Sequence, residues 1–168
     1  MKWYKLSLNR KLVERELGKL SKKLKSGTML EIGAGFKNYK YMFPHIDVIS
    51  TDIVMHDGID EIADVTALKY ESETFDYVLC INVLEHIIEP QKALDEIYRV
   101  LKPGGLAIIS TPFLFPVHDP PHDYWRFTEY SYRILLQKFS KIHVKPLTLL
   151  PFGLFKRFVL QYFVTAWK

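Results

Sequence analysis

The sequence predicts an α/β domain with a mostly parallel sheet, and three observations carry that prediction. Short apolar runs alternate along the chain with segments of helical period, the pattern of strands joined by crossover helices. Two of the runs, Phe75 to Ile81 and Leu106 to Ser110, are almost continuously apolar, as strands covered on both faces must be. Glycine and proline punctuate the pattern where elements should turn, at Gly33-Ala34-Gly35 and at Pro103-Gly104-Gly105.

The elements follow in order. Leu6, Val13, Leu17, Leu20 and Leu24 recur at helical spacing with lysines on the other faces, so residues 1–26 read as a basic amphipathic helix ending near Ser26-Gly27. Thr28 to Ile32 is a strand that opens into the glycine turn. A helical stretch through Tyr39 to Phe43 stops at Pro44. Asp47 to Thr51 is a second strand with Asp52 at its end, and an irregular acidic region runs from Asp57 to Glu73. After the strand Phe75 to Ile81, the stripe Ala93, Leu94, Ile97, Val100 and Leu101 marks a helix that Pro90 precedes and Pro103 follows. Leu106 to Ser110 is the next strand. Residues 112–128 are rich in proline, histidine and aromatics without a clear period, and a loop of that length in a compact domain is a functional candidate. Ile134, Leu135 and Phe139 suggest a helix, and Ile142 to Leu147 a strand. Leu160 to Trp167 is either helix or strand, and its β-branched and aromatic content leans to strand.

Composition narrows the function classes. At 168 residues the chain has the size of one domain, 1–168, able to bury roughly 70% of its unfolded surface. A hydrophobic fraction of 48% and a charged fraction of 25% exclude a disordered chain, a collagen repeat and a disulfide scaffold. The one cysteine, Cys80, lies in an apolar run, which fits a buried thiol and a reducing cytoplasm. A net charge of +4, concentrated in the first helix, does not by itself indicate nucleic acid. No apolar run follows the charged first residues, so no signal peptide is expected. Pro151, Gly153, Lys156 and Arg157 interrupt the apolar C-terminus, so a membrane span is not expected either, although peripheral membrane contact stays open.

The glycine turn is the sharpest local signal. A strand ending in Gly33-Ala34-Gly35 lets a ligand approach the backbone, with amides of the following segment facing it. Asp52, at the end of the next strand, can accept both hydroxyls of a ribose. A nucleoside ligand is therefore indicated. The dinucleotide pattern is incomplete, because Asn38 stands where its third glycine would.

Several motifs in order now make a resemblance. Glu31-Ile32-Gly33-Ala34-Gly35 resembles the first motif of the class I S-adenosylmethionine-dependent methyltransferases. Asp52 falls at the place of their ribose-binding acid, and Asp64-Val65 at the segment that holds the adenine amino group. Phe75-Asp76-Tyr77-Val78 with Asn82-Val83-Leu84-Glu85-His86 resembles their fourth motif and its sequel, and Leu101-Lys102-Pro103-Gly104-Gly105 the turn before their fifth strand. Pro121 to Thr128 resembles the type-11 group of that family.

The resemblance implies a Rossmann-like, mostly parallel seven-stranded sheet with helices on both faces and a final antiparallel strand. It implies S-adenosyl-L-methionine as cofactor and S-adenosyl-L-homocysteine as product. The cofactor-binding candidates are Glu31, Gly33, Ala34, Gly35, Asp52, Ile53, Asp64, Val65, Ile81 and Asn82. Lys37 replaces a glycine common in the family and either pairs with the cofactor carboxylate or points to solvent. Asp76 either caps backbone amides or meets the cofactor, and His86 is expected to make a structural hydrogen bond.

The acceptor is expected to be a small molecule, with a sugar or glycan hydroxyl as one candidate, approached by the 112–128 loop. Because ligands of open parallel sheets bind beyond the strands' carboxyl ends, His118 and His122 are the candidate general bases. The alternative is a loop fixed by its own hydrogen bonds over Trp125 and Phe127. His118 and His122 with Asp119 and Asp123 also resemble a metal set, but Pro120-Pro121 keeps the two imidazoles off one helical face, and no metal is assigned. Two other functions stay in view. A nicotinamide-dependent oxidoreductase would need the third glycine and a placed Tyr/Lys pair; Tyr98 and Lys102 have the spacing but sit before a turn. A non-catalytic cofactor-binding partner subunit is the other. Oligomeric state is not indicated.

Overall fold

The computed structural model describes residues 8–36, 38–148 and 158–168. Helix α1 spans Leu8–Ser21, and strands β1 (Thr28–Ile32) and β2 (Asp47–Asp52) follow. Next come β3 (Glu61–Ile62), β4 (Phe75–Ile81), helix α2 (Pro90–Val100), β5 (Leu101–Pro112), helix α3 (Glu129–Leu135), β6 (Lys141–Leu147) and β7 (Gln161–Trp167). The strands form one seven-stranded sheet in the order β3-β2-β1-β4-β5-β7-β6. The pairs from β3 to β5 are parallel, and β7 runs antiparallel to both β5 and β6.

Side-chain alternation explains why both faces are covered. Leu30, Ile32, Val78, Cys80, Ala107, Ile109 and Val164 point to one core with Leu94 and Ile97 of α2 and Tyr132 of α3. Met29, Leu79, Ile108 and Phe163 point to the other, with Leu12, Val13 and Leu17 of α1 and with Phe43. Helices therefore lie on both faces, and the α/β fold expected from the sequence is the fold observed. The C-terminal run is a strand, in register with β5 from Leu106↔Trp167 to Pro112↔Gln161.

Several boundaries differ, each for a physical reason. The first helix ends at Ser21, before Ser26-Gly27. Gly27 instead lets the Asp76 carboxylate come close: a Cβ there would lie 2.8 Å from Asp76 Oδ2. Asp76 accepts from Thr28 N (2.9 Å) and Thr28 Oγ1 (3.0 Å) and pairs with Lys102 (2.9 Å), so it fastens the amino-terminal ends of the strands. The segment after the glycine turn makes one 3-10 turn, Lys40–Met42, where a helix was expected. His86 likewise sits on a 3-10 turn, Leu84–His86. The acidic region contains β3, two residues held by pairing with Thr51 and Asp52. Strand β5 begins at Leu101, five residues before its apolar run, because Leu101 pairs with Phe75 across a register shift. The expectations about Leu6, Pro151, Gly153, Lys156 and Arg157 lie outside the described residues. Among the described residues, no helix is long and apolar enough to cross a membrane.

Candidate functional site

The chain leaves β1 toward β2 and β3 on one side and later returns through β4 and β5 on the other. The carboxyl ends of β1 and β4 therefore flank a topological switch point, where open α/β sheets bind ligands. The loops after β1, β2, β4 and β5 meet there.

The glycine turn follows β1. Gly33 has φ +65°, and a Cβ on it would collide with Val83 Cγ2. Gly35 has φ +56°, again a left-handed conformation that glycine adopts without strain. Ala34 N donates to Thr51 O (2.9 Å) and Gly35 N to Asp52 Oδ2 (2.8 Å), so the end of β2 holds the turn. Asp52 Oδ1 accepts from Val54 N (3.2 Å). A carboxylate offers about four acceptor sites, so these two bonds leave room for a further donor. Ile53, next to it, is 68% exposed.

Glu31 is buried, and both of its oxygens are engaged. Oε1 accepts from Tyr39 N (2.6 Å) and Oε2 from Ser50 Oγ (2.8 Å). Burial raises its pKa above the usual carboxylate range, against these hydrogen bonds. Asp64 Oδ1 accepts from Thr66 N and Thr66 Oγ1, both at 2.8 Å, in an Asx turn beside buried Val65. At the end of β4, Ile81 is buried and Asn82 has φ +56°. Asn82 N donates to Ser110 O (2.8 Å), and its side-chain Oδ1 accepts from Gln161 Nε2 (2.6 Å). Gln161, a buried amide on β7, carries no signal in the sequence, because it enters the site only through antiparallel pairing. Lys37 lies outside the described residues.

The second half of the site is the loop over the end of β5. Its centre is Asp123, whose side chain is fully buried. Arg126 Nη1 and Nη2 donate to the two Asp123 oxygens (2.6 and 2.8 Å), and His118 N donates to Oδ2 (2.8 Å). The Arg126 bonds hold Asp123 well below the usual carboxylate range. The loop is also tied to the turn after β4: Tyr124 N and Trp125 N donate to Glu85 O, and Trp125 Nε1 to Ile87 O (2.9 Å). Phe127 packs in the core against Tyr132, whereas Trp125 is 44% exposed. Phe113, Leu114, Phe115, Val117, Tyr124 and Arg126 border a largely apolar cavity of about 580 Å³.

The two histidines separate. The His122 residue is exposed, and its carbonyl accepts from His86 Nδ1 (2.8 Å), the structural bond expected of His86. His118 is half-buried, and its ring lies 4.8 Å from that of His86 and 5.3 Å from that of Phe115. Burial lowers its pKa, against the pull of Asp123. Beside the imidazoles of His86 and His118 stands Glu85, fully buried, its pKa pushed up to about 8 by desolvation. Glu85 belongs to a motif quoted from the sequence, yet no role was assigned to it; an acid inside an apolar stretch was the available signal. Tyr98 and Lys102 lie at the other end of the sheet, Tyr98 against Phe139 and Lys102 on Asp76.

Known proteins resemble this chain in sequence and in fold. The family model of a methyltransferase domain matches residues 30–109. A demethylmenaquinone methyltransferase of Paenarthrobacter aurescens is 33% identical over 129 residues, 70% of this chain and 49% of that protein. The chain thus spans about half or less of the length of the curated relatives it matches. Among solved structures, an S-adenosylmethionine-dependent methyltransferase from Archaeoglobus fulgidus superposes with a TM-score of 0.74 at 15% identity, covering 95% of this chain and 94% of the other. The 1,6-didemethyltoxoflavin-N1-methyltransferase of Burkholderia thailandensis, solved with S-adenosylhomocysteine, gives 0.73 at 20% identity over 93% and 78%. The matched segment begins within β1 and ends within β5, and so contains the glycine turn, Asp52 and the end of β4. On this agreement of motif, fold and relatives, residues 30–109 match the methyltransferase domain that the family model describes, and the fold of the chain is that of S-adenosylmethionine-dependent methyltransferases.

Proposed function

We propose that the chain transfers a methyl group from S-adenosylmethionine to a ring-shaped small molecule that offers an ionisable hydroxyl and one apolar face. The observation that carries this reading is a glycine turn tied to Asp52 at the switch point, with an aromatic-walled cavity in the loop that follows β5. The bound cofactor would supply a methyl already activated by its sulfonium.

In this reading the open backbone at Gly33, Ala34 and Gly35 admits the nucleoside, and Asp52 accepts from its ribose. Ile53, Asp64 and Val65 surround the adenine, and the backbone at Ile81 and Asn82 receives the amino-acid end. Glu31 is a positioning residue, because both of its oxygens hold the walls of the site. The loop 112–128 covers the acceptor side and keeps water away from the transfer. His118 faces that side next to Glu85 and is the group that orients or takes up the acceptor's proton. The exposed imidazole of His122 is the weaker candidate.

A sugar or glycan hydroxyl is the first acceptor class to test. A quinol ring is the second, because the cavity wall is aromatic and aliphatic. Cys80, a buried free thiol, accords with a cytoplasmic setting. Calorimetric titration with S-adenosylhomocysteine should show saturable binding, and NAD none. Sugars and quinols, offered with S-adenosylmethionine, should then yield a methylated product from one class. No binding by the folded protein, or binding of NAD instead, overturns the proposal.

A further inference from the structure

Three side chains converge beside the loop cavity in an arrangement that cofactor binding does not use. Glu85 and His86 are neighbours on the turn after β4, and His118 comes from the loop after β5. Glu85 Oε1 lies 3.9 Å from His86 Nε2 and 3.9 Å from His118 Nε2. One donor atom from each residue falls within 4.8 Å of the others. The Glu85 side chain is fully buried, and among the described residues neither of its oxygens has a hydrogen-bond partner. A buried carboxylate without a partner is costly, and it is relieved by taking a proton or a cation.

The imidazoles are arranged for a cation. His86 Nδ1 is 2.8 Å from the His122 carbonyl, which can only accept, so Nδ1 carries the proton and the Nε2 lone pair is available. His118 Nδ1 lies 3.1 Å from Asp123 Oδ2, close to the carboxylate although not aligned as a hydrogen bond. Asp123, held in turn by Arg126, is the kind of outer-sphere carboxylate that orients metal-binding histidines. Ligand distances of about 2.1 Å put tetrahedral donors roughly 3.4 Å apart, so the trio must close by roughly 0.5–1.5 Å around an ion. Two imidazoles and one carboxylate suit zinc and its neighbours rather than Mg²⁺, and three protein ligands leave a position open.

We propose that Glu85, His86 and His118 form a binding site for one divalent transition-metal ion of the zinc class, held by Glu85 Oε1 and the two Nε2 atoms. The sequence pointed away from this site because it paired His118 with His122. The fold instead brings His118 to a glutamate and a histidine more than thirty residues earlier in the chain. Binding stands on the trio alone. Its use rests on the methyl-transfer reading and replaces His118 as proton acceptor there: the open position would take an acceptor oxygen and lower its pKa.

The test titrates the full chain, stripped with chelator, with Zn²⁺ by calorimetry and with Co²⁺ by visible absorption. One equivalent of each should bind, and Co²⁺ should give the intense bands of a low-coordinate site. His118→Ala and Glu85→Gln should each weaken binding by more than the roughly 10- to 100-fold typical of losing an outer-sphere partner. His45→Ala, at the opposite end of the sheet, should leave it unchanged. Circular dichroism checks that each variant is folded, and His118, being on a loop, remains informative if Glu85→Gln is not. No saturable binding, or binding that survives His118→Ala, overturns the site. S-adenosylhomocysteine titrated into the same samples separates the two proposals: cofactor binding without metal removes only this one, and metal without cofactor removes only the other.

Discussion

At the residue scale, two positions carry the cofactor reading. Asp52 joins the glycine turn to β2 through Gly35 N and has acceptor capacity to spare. Asp52→Ala should therefore weaken S-adenosylhomocysteine binding by about 1.5–3 kcal/mol, the usual worth of hydrogen bonds to a charged group. Calorimetry reads this directly, and unchanged affinity would remove the ribose from Asp52. Gly33 is constrained twice, by its positive φ and by Val83. Gly33→Ala should cost about 1–3 kcal/mol from overpacking, with a further 1–2 kcal/mol or so from the left-handed backbone. Adding Val83→Ala should return only the first part in chemical denaturation. Full recovery would show that the backbone conformation is not strained.

At the element scale, the basic first helix is more than a solvated face. Glu16 on α1 is buried and bonds Lys145 on β6 as well as Lys19, which docks the helix against the sheet edge. Burial pushes the Glu16 pKa up, but the two lysines outweigh it, and the net shift is downward from 4.5. The folded state then binds fewer protons than the unfolded one just below pH 4.5, so this pair stabilises above that pH and its contribution is lost as pH falls through the folded pKa. The lysines are half-exposed, which limits the effect to about 0.5–1 kcal/mol. Lys145→Met should flatten the acid limb of stability against pH by that amount and leave a smaller change near neutrality than removing Glu16 itself. An unchanged acid limb would mean that the pair contributes nothing. The strands β1, β4 and the core of β5 are legible from sequence because their burial on both faces makes them continuous apolar runs. Strand β3 and the first residues of β5 are not, because only pairing to a neighbour makes them strands.

At the scale of the whole molecule, the last strand completes the sheet. β7 lies between β5 and β6, and it carries Gln161 into the switch point. Ending the chain at Leu160 should expose the edge of β5 and abolish cooperative thermal unfolding, with aggregation as the visible sign. A truncated chain that still melts cooperatively and binds S-adenosylhomocysteine would show that the parallel half is sufficient. The sequence by itself determined the α/β class, the parallel core, the glycine turn and Asp52, because each is written in a few consecutive residues: apolar run, turn chemistry, strand end. Only the tertiary structure decided the rest. It placed Gln161 on Asn82, set Glu31 to hold the walls of the site, and brought His118 to Glu85 and His86. Those neighbours are far apart in the chain, and their meeting depends on strand order and loop path, which no local periodicity encodes.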